Sequence, residues 1–459
     1  MKYIKSYLLC GMLFIHLLYL KPALAALALN HLSWRLKEAV AAPDWLDFKL
    51  EHRMRWESLF NDPRTHLRRP SNGFSLRTLG FLEVRRGPLV LGLELQDSRM
   101  FASEGVLINN TMTNPFDVLQ AYGQLNFSSN TYQLKWSFGR QTMDIGSRRL
   151  VARNAFRNTI NAFTGIDMQY TRLSYSIMLL RVFVLLPVQR FPMDDTGLQQ
   201  QQLSPDRENI NALMLGAFYE STPLFKDIKI QALVLGYLEK EASFRRLANV
   251  SMRFYRPAKE GVFFDVEGIL QVGRSHASSV STDKQDLMHL AGMLHASLGY
   301  QFKTHLKPRM AVLYDYASGD NDPQDKINGR FDPLFGARRF ELGPTSLYGL
   351  LSRSNLHALG ARLEITTHER VELMIAYRPA FLSSVKDAWV GIGLRDVNGQ
   401  SGSFLGHQIE GLMRIQLWRQ NVRLELGAAY FNLGHFVQQV SKEKMFSPVY
   451  LYSQLTVGI

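Results

Sequence analysis

Between Trp45 and Ser58 the chain alternates between apolar and charged residues with almost no interruption. A β-strand points successive side chains to opposite faces, so this stretch predicts one strand with an apolar face and a charged face. The apolar set is Leu46, Phe48, Leu50, Met54 and Trp56, and the charged set is Asp47, Lys49, Glu51, Arg53, Arg55 and Glu57. A strand of this kind fits either a soluble sheet over a core or a transmembrane barrel with a wet interior, and its recurrence along the chain decides between them.

The first 25 residues have the pattern of a secretory signal peptide. Lys2 and Lys5 supply a basic start, an apolar run follows over Tyr7–Leu20, and small residues precede a cut after Ala25. A cut after Ala28 is the nearest alternative, and a membrane anchor would need a longer apolar run. Because Cys10 is the only cysteine, the mature chain is expected to contain no thiol and no disulfide.

The composition beyond the predicted signal excludes a helical membrane protein. No later stretch approaches 18 consecutive apolar residues, so no transmembrane helix is predicted. Hydrophobic residues make up 46% and charged residues 20% of the chain, as expected when a barrel averages lipid-facing and water-facing positions. The net charge is +13, and it becomes +10 once Lys2, Lys5 and Lys21 leave with the signal. A basic exported protein without nucleic-acid motifs favours an anionic ligand or lipid surface.

Alternation predicts 18 strands. They are Trp45–Ser58, Phe74–Arg86, Leu89–Ser98, Val118–Asn126, Tyr132–Gln141, Gly165–Tyr175, Ile177–Val188, Asn209–Tyr219, Asp227–Glu239, Arg245–Arg256, Val262–Gly273, Leu287–Phe302, Arg309–Ala317, Leu356–Thr366, Val371–Pro379, Gln408–Trp418, Arg423–Asn432 and Val449–Ile459.

The connections between these strands alternate in length. Gly87-Pro88 is a tight turn, because a Gly-Pro pair cannot continue a strand ladder. Four connections are predicted to be long and polar, namely Ala102–Phe116, Gln189–Glu208, Gly319–Asn355 and Leu382–His407. We therefore predict an all-β transmembrane antiparallel barrel of about 18 strands, with long loops on one rim and short turns on the other. Residues 1–25 form the signal, 26–44 a periplasmic lead and 45–459 the barrel.

Two features bear on this fold. A soluble propeller or parallel β-helix would show a repeat of 20 to 50 residues, and none is evident. The last strand is apolar and correctly phased but ends in Ile459, where outer-membrane barrels usually end in an aromatic residue. Barrels of 16 to 18 strands enclose an aqueous channel, so the strand count favours a transport function over a catalytic one.

Catalytic motifs are absent from the sequence. It contains no P-loop, no Rossmann glycine pattern and no H-E-x-x-H, and the 12 histidines are scattered. His289 and His295 share one predicted strand without a third ligand in reach, and no Ser, His and acid arrangement stands out. We expect no enzymatic activity and no cofactor.

One acidic loop is a candidate calcium site. Asp320, Asp322 and Asp325 lie within six positions, and oxygen-rich loops can hold Ca²⁺. The loop lacks the full EF-hand ligand order and its terminal glutamate, so an ordinary solvated turn is the favoured interpretation and calcium the alternative.

The charged faces of the predicted strands place arginines and acids toward the lumen. These side chains either brace the wall by pairing with one another or leave an arginine excess that attracts a polyanion. Arginine suits carboxylates because its planar fork donates two parallel hydrogen bonds.

Several short motifs follow one another along the sequence in an order that is typical of one protein family. They are Glu94–Arg99, Gln120–Tyr122, Gly139–Gln141, Gly146–Val151, Phe156–Asn158, Phe163–Gly165, Tyr316–Asp320, Phe331–Phe335 and, more weakly, Gly406–Glu410. In this order the sequence resembles the alginate export family of outer-membrane proteins, which more often has Trp at the position of Phe156 and Asp at that of Thr164. The resemblance implies an 18-stranded barrel and passive export of alginate, an anionic polyuronate, through an arginine-rich constriction.

The leading hypothesis is thus an outer-membrane channel of a Gram-negative bacterium that exports an alginate-like polysaccharide. The expected pore-lining residues are Lys49, Arg53, Arg55, Arg77, Glu94, Gln96, Arg140, Arg149, Arg362 and Arg414. An uptake porin for small anions is the transport alternative, and an outer-membrane enzyme or adhesin is the alternative of another class. Expected partners are outer-membrane lipid and lipopolysaccharide, the anionic cargo and periplasmic export proteins, without nucleic acid.

Overall fold

A computed structural model describes residues 35–65, 69–103, 106, 108–173, 178–189, 195–225, 227–240, 244–278, 280, 282–367, 370–441 and 444–459. The predicted signal peptide, including Cys10, lies outside these residues. The described residues include four short helices: α1 (Leu36–Ala39), α2 (Asp195–Gln199), α3 (Arg339–Leu342) and α4 (His435–Val440). Within the described ranges, no helix has the length and apolarity to cross a membrane.

Twenty strands dominate the chain. They are β1 (Leu46–Phe60), β2 (Ser71–Arg86), β3 (Leu89–Ala102), β4 (Asn114–Ser128), β5 (Tyr132–Gln141), β6 (Phe163–Arg172), β7 (Met178–Gln189), β8 (Arg207–Glu208), β9 (Ala212–Glu220), β10 (Lys229–Glu239), β11 (Arg246–Arg256), β12 (Gly261–Ser275), β13 (Leu287–Gln301), β14 (Arg309–Ala317), β15 (Ile327–Asn328), β16 (Leu356–Thr367), β17 (Val371–Phe381), β18 (Phe404–Trp418), β19 (Val422–Leu433) and β20 (Val449–Gly458).

Eighteen of these strands form one closed antiparallel barrel. Each long strand pairs with the next along the chain, and β1 also pairs with β20, from Glu51 opposite Gly458 to Phe60 opposite Val449. The two-residue strands β8 and β15 only extend the edges of β7 and β13. The last residue, Ile459, exchanges both main-chain hydrogen bonds with Leu50, at 2.9 and 3.0 Å. The fold predicted from alternation is confirmed.

The two rims differ as predicted. One rim, here the short-turn rim, carries connections such as Gly87-Pro88 and 419–421, together with the start of β1 and the end of β20. The opposite long-loop rim carries connections 103–113, 190–211, 318–355 and 382–403. A further long connection, residues 142–162 between β5 and β6, was not among the long loops predicted from the sequence.

The two faces of the barrel wall differ sharply in exposure. On β1, Leu50 and Trp56 are 42% and 43% exposed, whereas Arg53 and Arg55 are buried. Buried arginines on a wall whose apolar residues are exposed point inward, because the outer face of a membrane barrel contacts lipid. The charged side of the opening motif therefore faces the lumen.

The long connections fold back into the lumen and fill its long-loop half. Connections 142–162 and 318–355 meet at a parallel bridge between Val151 and Phe335. Around them lie two buried apolar clusters: one includes Leu342, Tyr348 and Trp389, and the other surrounds Val151. The barrel is consequently packed by its own loops on one side and hollow on the other.

Candidate functional site

A large cavity occupies the short-turn half of the lumen. Its volume is about 1260 Å³, and the turn residues 258–260 and 302–305 form part of its edge. Twelve lysines and arginines line it against five glutamates. We call this cavity the lumenal vestibule. Its lining makes it a site for anions.

A segment of connection 142–162 forms the inner end of the vestibule. Residues 153–159, here the lumenal strap, place Ala155 and Phe156 in the lining. Arg53 donates to the carbonyl oxygens of Ala155 at 2.9 Å and Arg157 at 2.8 Å. Arg77 donates to the same two oxygens at 2.8 and 3.1 Å, and also to Glu51 at 2.9 Å. The wall arginines thus hold the strap by its main chain.

Phe156 lies between two guanidinium groups at the tip of the strap. Its ring centroid is 4.0 Å from the Arg55 guanidinium and 4.9 Å from that of Arg339. The rings of Phe156 and Tyr452 form a T-shaped pair with their centroids 5.8 Å apart. Arg55 also donates to the Phe156 carbonyl oxygen at 2.7 Å and to Gln454 at 2.6 Å. Cations over an aromatic face are attracted by its quadrupole, so Phe156 helps to gather positive charge here.

Asn158 anchors the strap to the wall. Its side chain is 2% exposed, and its amide nitrogen approaches the carbonyl oxygens of Met112 at 2.8 Å, Arg99 at 3.0 Å and Leu76 at 3.2 Å. Its amide oxygen accepts from Arg53 at 3.0 Å. One side chain therefore satisfies donors and acceptors from four places in the barrel.

Arg149 ties the same connection to the opposite wall. It contacts Asp265 and Glu341 at 3.0 Å each and also pairs with Glu267. Burial alone would lower the pKa of the Arg149 guanidinium, but the Glu267 and Asp265 carboxylates raise it. Nearby Arg353 pairs with Glu341, and its burial lowers its pKa to about 9. This network braces the inward loops and does not offer Arg149 freely to a ligand.

The remaining expected pore residues divide between vestibule and wall. Arg362 and Arg414 line the vestibule, and Arg414 pairs with Glu425 at 2.6 Å. Glu94 is buried, and its carboxylate accepts hydrogen bonds from Arg153 Nη2 at 2.7 Å and Nη1 at 3.1 Å. Gln96 is buried in β3, away from the vestibule lining. Lys49 lies near the short-turn end of β1, 3.7 Å from Asp47.

Arg140 does not face the lumen, which corrects the expectation for this residue. It pairs with Thr164 across β5 and β6, two residues beyond Phe138 and Ile166, which are 40% and 47% exposed on the lipid side. Strand alternation puts Arg140 on that same outer face. There its side chain binds Glu208 at 2.7 Å. The apolar outer face therefore carries a charged residue at this position, and the prediction assigned that residue to the lumen.

The acidic loop does not gather its carboxylates, which corrects the calcium expectation. Asp322 and Asp325 accept turn hydrogen bonds from the main-chain nitrogens of Gln324 and Ile327. In the part of the chain that the structure describes, no group of three or more metal-binding side chains converges. Asp320 instead donates its main-chain nitrogen to Asp387, and burial together with that carboxylate raises the pKa of Asp320.

Several site residues were missed by sequence reasoning. Arg153 and Asn158 lie outside any strand, so alternation could not place them, although Phe156–Asn158 stood out as a family-like motif. Arg339 and Glu341 belong to α3 inside connection 318–355. Only the fold brings these loop residues against the wall.

A serine and a histidine meet inside the barrel without forming an accessible site. Ser275 Oγ is 2.9 Å from His289 Nδ1, and His289 Nε2 is 2.8 Å from Gln271. Both Ser275 and His289 are 3% exposed, and Gln271 is fully buried. The group is a buried polar network in which the serine is shielded from substrates.

The fold matches solved outer-membrane structures. OccK8 (OprE) of Pseudomonas aeruginosa has a TM-score of 0.57 at 9% identity, covering 90% of this chain and 98% of that chain. OccAB2 of Acinetobacter baumannii has a TM-score of 0.56 at 12% identity, covering 91% and 98%. OpdK of P. aeruginosa, solved with vanillate, has a TM-score of 0.55 at 11% identity, covering 90% and 99%.

The closed barrel that surrounds this charged lumen has the fold of solved outer-membrane proteins. Residues 44–448 match the model of the alginate export family. The chain belongs to the alginate export family. A comparison with curated proteins finds no match.

Proposed function

We propose that this channel passes an anionic polysaccharide of the polyuronate class from the periplasm to the exterior, by diffusion and without a covalent step. The observation that carries the proposal is the cationic vestibule at the short-turn rim. Short turns of outer-membrane barrels face the periplasm, so a polyanion made inside the cell would meet this charge first. Membership of the alginate export family supports the same direction and cargo.

Two buried arginines of the vestibule are not paired with protein acids. Arg53 and Arg55 form no ion pair with a carboxylate within 4 Å among the described residues; their partners are carbonyl oxygens and Gln454. A guanidinium bonded to neutral acceptors keeps its full positive charge. Charge rings of this kind set the selectivity of a pore, and the planar fork of arginine fits carboxylates.

Uptake of small carboxylates is the second candidate. The inward loops fill the long-loop half of the lumen, and a cavity of about 1260 Å³ can hold a small solute as well as a few sugar units. The similar fold of OpdK was solved with vanillate, a small aromatic carboxylate. The two candidates differ in the length of the anion that binds best.

Planar-bilayer recordings with uronate oligomers of graded length test the proposal. For export we expect current block from the short-turn side, with affinity rising with oligomer length because linked carboxylates bind several arginines at once. Neutral oligosaccharides of equal length serve as the ligand control. Replacing Arg362 and Arg414 by methionine should weaken block and anion preference, whereas Arg140→Met is the matched control on the outer face. Block that is independent of length would instead favour small-solute uptake.

A further inference from the structure

The carbonyl oxygens of the lumenal strap occupy the positions where ligand oxygens would meet the wall arginines. Arg53, Arg55 and Arg77 donate to the main-chain oxygens of Ala155, Phe156 and Arg157 at 2.7 to 3.1 Å. The first two of these oxygens belong to residues that line the vestibule. The strap therefore binds its arginines as a ligand of the vestibule would.

These bonds are weaker than those that a polyuronate can offer. A hydrogen bond from a guanidinium to a carbonyl oxygen carries charge on the donor only, whereas a carboxylate adds the opposite charge on the acceptor and can take both arms of the guanidinium fork in parallel. Within the described residues, three guanidinium nitrogens here have no acceptor: Arg53 Nε, Arg55 Nη1 and Arg77 Nε. These three nitrogens are buried, so a carboxylate in the vestibule first competes for the donors that the strap carbonyls hold, and it reaches the unpaired nitrogens once the strap has moved.

Apart from the bond that the Asn158 amide oxygen accepts from Arg53, the strap is attached at this end by uncharged contacts. Asn158 makes its hydrogen bonds to main-chain oxygens, and the Asn158 carbonyl accepts from Ser98 Oγ at 2.8 Å. Thr159 adds bonds to the main chain of Asn110 and Thr111 at 3.1 and 3.2 Å. Such contacts break one by one at a modest cost, since each net hydrogen bond contributes about 0.5–1.5 kcal/mol.

We propose that residues 153–159 are a gate that the cargo itself opens: polyuronate carboxylates take Arg53, Arg55 and Arg77 from the strap carbonyls and release the strap from the wall. This inference rests on the proposed function for its ligand class. It adds that the occupied vestibule and the closed strap compete for the same guanidinium groups.

The thiol accessibility of residue 98 reports the position of the strap. Ser98 is fully buried and contacts Asn158, so Ser98→Cys places a thiol against the strap. Ser137→Cys is the matched control, since Ser137 is also buried but contacts Gln124 at 3.4 Å and not the strap. Both variants are reconstituted in liposomes and reacted with a water-soluble maleimide, with and without a uronate oligomer.

We expect the oligomer to raise the labelling rate at residue 98 about tenfold, within the usual range of coupling between linked sites, and to leave residue 137 unchanged. A neutral oligomer should leave both rates unchanged. If the uronate oligomer blocks current but the rate at residue 98 stays constant, the gate is overturned and the proposed function stands. If the oligomer neither binds nor alters labelling, both the gate and the proposed function are contradicted.

A second variant tests the strap without a thiol. Asn158→Asp replaces the amide donor by an oxygen that repels three carbonyl oxygens, so the strap should detach and the basal conductance should rise severalfold. Asn126→Asp is the matched control, because Asn126 is an asparagine of β4 that contacts Gln124 and not the strap. Equal conductance in the two variants would contradict the gate.

Discussion

Replacing Arg149 by methionine removes the cation that joins connection 142–162 to the wall. Arg149 is 2% exposed and pairs with Asp265, Glu267 and Glu341. Methionine keeps much of the apolar length of the side chain, so the change in stability reports lost charge more than lost volume.

The three carboxylates are not left in the same state. Asp265 retains Arg253, with contacts of 2.7 and 2.9 Å, and Glu341 retains Arg353. Glu267 keeps the hydroxyls of Ser251, at 2.6 Å, and Ser147 as hydrogen-bond donors, and both are neutral. One buried charge is uncompensated, so the expected loss in the free energy of unfolding is about 3–5 kcal/mol, and not three times that value.

The measurement is guanidinium unfolding of the refolded barrel in liposomes, followed by tryptophan fluorescence. Adding Glu267→Gln to the Arg149→Met variant should recover at least half of the loss, because the remaining buried group is then neutral. Arg274→Met is the control: Arg274 and its partner Asp286 are 54% and 41% exposed, so the loss should stay below about 1 kcal/mol. A loss of less than about 0.5 kcal/mol in Arg149→Met would refute the role of Arg149 as a buried hub.

Three further predictions follow from the placement of individual residues. Arg140→Met should leave anion selectivity unchanged in reversal-potential measurements, because its side chain lies on the outer face; a loss of selectivity would contradict this placement. Burial alone would raise the pKa of Asp387, but its hydrogen bond to Arg330 holds that pKa below its usual value. Asp387→Asn should therefore increase protease cleavage of the long loops at pH 7, and the difference from wild type should shrink as the pH falls below about 4 and vanish only below the lowered pKa of Asp387. Chelation of calcium should leave the melting temperature unchanged, since Asp322 and Asp325 only cap turns, and a drop would indicate a site that they form.

The barrel wall was predictable because the alternation of apolar and polar residues that defines each strand lies within a short stretch of sequence. Alternation from Trp45 onward tells which residues share a face, and each of the 18 predicted strands corresponds to one long strand of the barrel. Errors are confined to ends: β2 begins at Ser71 where Phe74 was predicted, and β4 begins at Asn114 where Val118 was predicted. Strand ends depend on loop packing, which alternation does not report.

The partners of the arginines were not predictable in the same way. Arg53 and Arg77 are neighbours across β1 and β2, so their shared face follows from alternation and pairing. Their acceptors belong to residues 155–158, far away in sequence and outside any strand. No periodicity connects a wall residue to a loop that returns through the lumen.

The sequence by itself determined the class of the molecule, a transmembrane barrel with an apolar exterior and a charged interior. The reason is that apolar and polar side chains alternate with a period of two residues along the strands. Only the tertiary structure decided how that interior is used. It made Arg149 a brace between loops and wall, and it held Arg53 and Arg55 to the carbonyl oxygens of the strap. The physical reason is that hydrogen-bond partners in a wide barrel are set by which loops fold inward, and those contacts join residues that no local pattern relates.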